Sequence, residues 1–230
     1  MPCPSPLATI VIPQFGGAEL TCACIRSLRR HETTLWPIIV ADDGSPSESR
    51  QIVAAERFLN MTLIHQSHWG VSAAWNFGAA QVRTRYVVFL NNDVLFQGPV
   101  IEQLLSPLIS DRARISGIRL RKEQSLPADT LTKLPGDRFL EGWCLAMSLV
   151  DFHRLGGFDD SMAVYWSDTD FQARMMIETV RIDCPTVRPL IELPDLPLLH
   201  LGHRTAHRMQ EHRGLWQKDR NRFIEKWDAH

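Results

Sequence analysis

Side chains able to do acid–base or metal chemistry gather at four places in this chain of 230 residues: Asp42-Asp43, Asn91-Asn92-Asp93, Asp168 with Asp170, and the histidines His200, His203 and His207. A carboxylate accepts the proton of an attacking hydroxyl. A second, with amides and water, holds a hard divalent cation that absorbs the charge of a leaving group. Two separated acids fit that division of labour. Each place also has a structural reading: Asn and Asp are the commonest turn residues, and acids in the first turn of a helix are favoured by its dipole.

The elements around them decide between the readings. Tyr86 to Leu90 is an apolar run suited to a strand buried on both faces, and it stops on Asn91, Asn92 and Asp93. Leu7 to Ile12 and Pro37 to Ala41 read the same way, stopping on Pro13-Gln14-Phe15 and on Asp42-Asp43-Gly44-Ser45; Met61 to His65 is a further strand. Between them, Ala18 to Arg30, Pro46 to Phe58 and the stretch from Val71 read as helices, the last with small residues facing a close neighbour. Strand and helix in alternation predict right-handed crossovers and a parallel sheet, so these strand ends share one rim, where open α/β sheets bind ligands. No lysine or arginine stands in those turns. Such a rim repels a bare phosphate, and a diphosphate there needs magnesium or manganese.

Further along, Val100 to Ile109 predicts a helix, Ile115 to Leu120 a strand, and Arg121 to Asp137 a mobile polar loop over the rim. Phe139 to Val150 reads as a strand, Asp151 to Leu155 as a short helix, and Ser167 as the N-cap of a helix carrying Asp168 and Asp170. Trp216, Phe223 and Trp227 repeat at helical spacing, predicting a terminal helix packed on the domain, with membrane-surface contact as the alternative.

A net charge of −1 with both signs dispersed excludes a nucleic-acid binder, and 44% hydrophobic residues suffice for one sizeable core. Five cysteines without a CxxC pair read as reduced thiols in a cytoplasmic protein. Residues 1–6 read as an extended leader and no stretch is long enough to cross a membrane.

A strand ending in DDGS, a helix bearing NxG, a strand ending in NND, a GGFD turn and a W-x-D-x-D helix start, in that order, resemble the family 2 glycosyltransferases of GT-A fold, rhamnosyltransferase-like and galactofuranosyltransferase-like members among them. The resemblance spans Thr9 to His203. It implies an α/β, Rossmann-like domain over residues 7–205 with a mostly parallel sheet flanked by helices, followed by a helix over 206–230. It implies an inverting, metal-dependent hexosyltransferase of glycan or glycolipid assembly, taking a nucleoside-diphosphate sugar donor and a sugar or lipid-linked sugar acceptor. By position, Pro13, Gln14, Phe15, Asp42, Asp43, Asn76, Asn91 and Asn92 face the nucleotide sugar, and Asp93 is the metal ligand left from a DxD element. His200 is a second ligand, with His203 as its alternative; Gly202 argues against one helix aligning all three histidines around zinc. Asp168 is the implied base, with Trp143, Trp166 and Asp170 on the acceptor side. The chain departs from the family pattern at Trp75, where arginine is common, at Gln14-Phe15-Gly16, and at Ser167. A non-catalytic nucleotide-sugar binding module and a sugar nucleotidyltransferase are the alternatives.

Overall fold

The computed structural model describes residues 6–182, 186–202 and 212–229. Its first half alternates as the apolar periodicity requires: β1 (Ala8–Gln14), α1 (Ala18–His31), β2 (Ile38–Asp43), α2 (Ser47–Ala55), β3 (Met61–Gln66), α3 (Val71–Ala79) and β4 (Tyr86–Leu90). The second half adds β5 (Val94–Phe96), α4 (Ile101–Ile109), β6 (Ala113–Gly117), β7 (Leu120–Lys122), α5 (Ala128–Lys133), β8 (Arg138–Leu140), β9 (Cys144–Ser148), α6 (Leu149–Arg154), α7 (Ser167–Arg181), β10 (Arg188–Glu192), β11 (Leu198–His200) and α8 (His212–Asp228).

The central sheet has the order β10-β6-β9-β4-β1-β2-β3. The strands β3, β2, β1 and β4 are parallel, so their carboxyl ends reach one edge; the register sets Gln14 beside Asp42, and Asp42 and Asp43 beside His65 and Gln66. Strand β9 runs antiparallel between β4 and β6 and pairs Cys144 with Leu90, which brings the turn Glu141-Gly142-Trp143 to the same edge. Every residue of β1, β2 and β4 is buried, because helices cover both faces. Alternate residues divide between two cores: Ile10, Ile12, Val88 and Leu90 pack with α1 and α4, whereas Val11, Val87 and Phe89 pack with Trp75, Phe152 and Phe171. The close approach of α3 depends on Gly78, where an added Cβ would stand 2.4 Å from Val11 Cγ1.

Several sequence expectations change in tertiary context. The strand expected over Ile115–Leu120 ends at Gly117, and the one expected over Phe139–Val150 breaks into β8 and β9 around residues 141–143. Residues 121–137 are no unbroken loop: they hold β7's end and α5, with Leu126 and Leu134 buried against Phe139, Trp166, Phe223 and Trp227. Apolar residues that far apart show no period, and only distant neighbours bury them. Ser167 does not cap α7. Trp166 occupies that position at φ 72°, a left-handed conformation uncommon for a bulky residue, and the Ser167 hydroxyl lies 2.6 Å from that of Ser72. Cys22, Cys24 and Cys144 are buried free thiols; Cys3 and Cys184 lie outside the described residues.

Helix α8 is fastened to the segment that leads into α7. Asp219, 1% exposed, accepts from the backbone N–H of Val164 at 2.9 Å and of Tyr165 at 3.0 Å. Lys226 Nζ reaches Asp159 at 2.7 Å and Asp170 at 2.9 Å, and Phe223 and Trp227 are buried rather than turned outward to a lipid surface. No helix among the described residues is long and apolar enough to cross a membrane. Asp219→Ala strands two N–H groups in the interior and is expected to cost about 2–4 kcal/mol in urea unfolding. Asp219→Asn, which keeps an acceptor oxygen, should lose less. Equal losses would overturn this, showing that a neutral acceptor oxygen cannot stand in for the carboxylate.

Candidate active site

The strand ends surround one crevice of about 620 Å³. Pro13, Gln14, Phe15, Asp43, Asn91, Asn92, Asp93, Trp143, Trp166, Asp168 and His200 all line it, from six different segments of the chain. Sequence separation is no obstacle, because parallel strands deliver their last residues to a common edge.

At the β2 end the two acids part company. Asp43 faces the crevice and accepts from Gln66 Nε2 and His68 Nδ1 at 2.8 Å, Trp69 N at 2.9 Å and Gly70 N at 2.8 Å. These bonds fix the segment between β3 and α3, and His68 stacks on Phe15 with ring centroids 4.0 Å apart. Gly44 permits the turn: it sits at φ 79°, and a Cβ there would stand 2.7 Å from the backbone N of His68. Asp42 does not reach the crevice, which corrects its expected place among the nucleotide contacts. It is fully buried and accepts from Gln14 Nε2 at 3.1 Å and Ser45 N at 3.1 Å, with His65 Nδ1 at 2.9 Å.

At the β4 end, Asp93 and His200 come together although 107 residues separate them. The antiparallel pairing of β11 with β5 sets His200 opposite Val94, and Asp93 Oδ1 lies 3.1 Å from His200 Nε2. Trp143 stacks on the His200 ring at 4.8 Å, and its carbonyl accepts from Asn91 N at 2.9 Å. Asn92 is held by Thr21, to whose hydroxyl it donates at 3.1 Å. A carboxylate oxygen and an imidazole nitrogen side by side on a crevice wall fit a divalent cation whose other positions are open to phosphate and water oxygens. Among the described residues no group of three His, Cys, Asp or Glu is placed to hold a metal unaided. His203 and His207 lie outside the described residues.

The same crevice is lined by Asp168, in the first turn of α7. Burial pushes its pKa from the ordinary 3.8 up to about 6, and the backbone N–H groups of the helix start offset only part of that; Glu123 and Asp170 push it the same way as burial. Gly142 lies directly against this carboxylate, so close that a Cβ at 142 would meet Asp168 Oδ2 at 2.1 Å. Asp170, expected beside the acceptor, is instead fully buried on the opposite side of α7, where Arg174 Nε at 2.8 Å, Lys226 Nζ at 2.9 Å and Trp227 Nε1 at 3.2 Å surround it. Asn76 is likewise off the crevice. Its amide donates to Phe158 O at 2.8 Å and accepts from Phe158 N at 2.9 Å, tying α3 to the GGFD turn.

Sequence reasoning missed His68, Gly142, Arg119 and Arg121, all of which line the crevice. The spacing of His65 and His68 was visible, but nothing local says which side of the strand end each occupies. Both arginines follow the end of β6, Arg121 within β7, outside the strand-end turns that lack lysine and arginine.

Residues 9–170 match the family described as Glycosyl transferase family 2. Among curated proteins the chain is similar to the uncharacterized glycosyltransferase EpsJ of Bacillus subtilis, 29% identical over 122 residues (52% of this chain, 36% of that protein). It is also 29% identical over 183 residues to the pre-mycofactocin glycosyltransferase of Mycobacterium tuberculosis (67% of this chain, 36% of that protein). The chain thus spans about a third of the length of these relatives. Among solved structures, the mannosyltransferase PcManGT of Pyrobaculum calidifontis, in complex with GDP-Man and Mn2+, shares the fold with TM-score 0.63 at 18% identity, over 90% of this chain and 61% of that one. TarS of S. aureus in complex with UDP gives 0.58 at 14%, over 74% and 55%. With its ordered motifs, its GT-A fold and a family match over well more than half of its length, the chain belongs to glycosyl transferase family 2.

Proposed function

We propose that the chain moves a hexosyl group from a nucleoside-diphosphate sugar to a hydroxyl of a glycan or glycolipid acceptor, with inversion and with help from a divalent cation. One observation carries the reading: a carboxylate of raised proton affinity, Asp168, opens onto the same crevice as the paired Asp93 and His200. The complex of PcManGT with GDP-Man and Mn2+ supports the donor class and the cation.

In this reading Pro13, Gln14, Phe15 and Asp43 receive the nucleoside, with the Phe15–His68 stack as a wall for the base, and Asn91 and Asn92 face the ribose and diphosphate. Asp93 and His200 would hold manganese or magnesium, which supplies positive charge to the departing diphosphate. His200 must then be neutral, with the lone pair on Nε2. Asp168 accepts the acceptor's proton as its oxygen bonds to the anomeric carbon from the face opposite the diphosphate; the bond to the diphosphate oxygen breaks and the configuration inverts. Trp143 and Trp166 flank the acceptor.

Calorimetry with UDP and GDP, with and without manganese, tests the assignment. Tight binding should require manganese, and Asp93→Ala should weaken it by about tenfold or more, as loss of a charged contact does. An Asp93→Ala protein that binds either nucleotide in manganese with parental affinity would sink it.

A further inference from the structure

The two halves of the crevice differ in the charged side chains that line them. The half expected to receive the nucleoside is walled by Asp43, Asn91, Asn92 and Asp93, whereas the part beyond Gly142 carries Arg119 and Arg121. Their placement follows from the sheet. Arg119 comes just after β6, two strands away from β4 in the order β6-β9-β4, so it lies past Asp93 on the side away from β1 and β2. Its carbonyl accepts from Glu141 N at 3.0 Å, and Glu141 precedes the glycine that touches the Asp168 carboxylate. The arginines therefore stand beside the base, on the ground left for the acceptor.

Their charges are unequally used. Arg121 Nε pairs with Glu141, whose other oxygen accepts from Trp143 Nε1 at 2.9 Å. Arg119 is exposed to the crevice, and among the described residues its side chain has no hydrogen-bond or ion-pair partner. Arg121 is thus met by Glu141, whereas the Arg119 guanidinium stands unpaired among the described residues at the crevice wall, which Ile118, Leu196 and Leu198 also line. Guanidinium presents a planar fork of donors that matches a carboxylate or a phosphate.

We infer that the acceptor carries an anionic group, a phosphate or a carboxylate, away from its reacting hydroxyl, and that Arg119 binds it with Arg121 in support. This rests on the glycosyltransferase reading proposed above and adds the chemical class of its acceptor.

Binding of glucose, glucose 6-phosphate and glucuronate, measured by calorimetry or ligand-observed NMR, tests it; the two anionic sugars separate phosphate from carboxylate. Each titration is run without nucleotide and again with saturating UDP and manganese. At least one anionic sugar should bind about tenfold tighter than glucose in both conditions, and Arg119→Gln should remove most of that preference while leaving UDP affinity unchanged. Equal binding of all three sugars overturns the inference, as does a preference that survives the double substitution Arg119→Gln, Arg121→Gln. A preference abolished by UDP assigns the guanidiniums to the donor diphosphate and overturns it too. UDP that fails to bind, with the anion preference intact, overturns the transferase reading and leaves an anion site.

Discussion

Asp168→Asn should lower the rate of sugar transfer by roughly 10²–10⁴-fold, the usual contribution of a positioned base, with donor affinity close to that of the parent. The loss belongs in kcat, because proton transfer matters only in the transition state. Titration adds a signature. With its pKa raised to about 6, Asp168 is an active base only when ionised, so kcat should climb through about pH 6 to a plateau above. The linked stability has a definite sign: the folded-state pKa lies above the ordinary 3.8, so the favourable, protonated form is complete at low pH and is lost as pH rises through about 6. Asp168→Asn carries no such cost, and should melt higher than the parent at pH 8 but not below about pH 4. An acid serving only the helix dipole predicts the reverse, a loss of about 0.3–1 kcal/mol at neutral pH with transfer intact. Melting temperature at two pH values and the rate on one variant separate the two.

Gly142→Ala should be nearly as damaging, without touching any ionisable group. A methyl at 142 would stand 2.1 Å from Asp168 Oδ2 and 2.6 Å from its Cγ, so either the carboxylate swings away or the 141–143 turn retreats. Displacing the base by an ångström is expected to reduce kcat by about 100-fold. The packing strain itself should cost about 1–3 kcal/mol, small enough for the domain to stay folded. The double variant Gly142→Ala, Asp168→Asn distinguishes action through the base from general damage. If Gly142 acts by positioning Asp168, the double variant loses little more than Asp168→Asn alone; losses that multiply would refute the link.

Both predictions concern a contact with no trace in the local sequence. Gly142 sits inside what reads as one continuous strand, and its importance comes from a helix start 26 residues further on. The same holds for the C-terminal anchor, where Asp219 reaches Val164 and Tyr165 across 55 and 54 residues. What was legible was the arrangement of the rim. Apolar β-branched runs alternating with amphipathic helices leave a chain few choices but parallel strands with a shared carboxyl edge, and residues just past each run must then meet. Pro13, Gln14, Phe15, Asp43, Asn91, Asn92, Asp93 and Asp168 do meet there, and His200 joins them because a short apolar strand carries it.

Sequence by itself thus determined the fold class, the family and the edge of the sheet where the chemistry-bearing residues gather, since those follow from periodicity and motif order. Only the tertiary structure decided which member of each close pair faces the crevice. Adjacent residues on a strand point to opposite faces, and Asp42 turns into the protein while Asp43 turns to the cleft. Residues two apart on a helix do not share a face, and Asp170 turns to Arg174 and Lys226 while Asp168 turns to the cleft. It also settled the sign of the Asp168 shift. The helix start favours the ionised carboxylate and burial opposes it; the packing of the crevice makes burial the larger effect, and packing is set by neighbours that no local stretch contains.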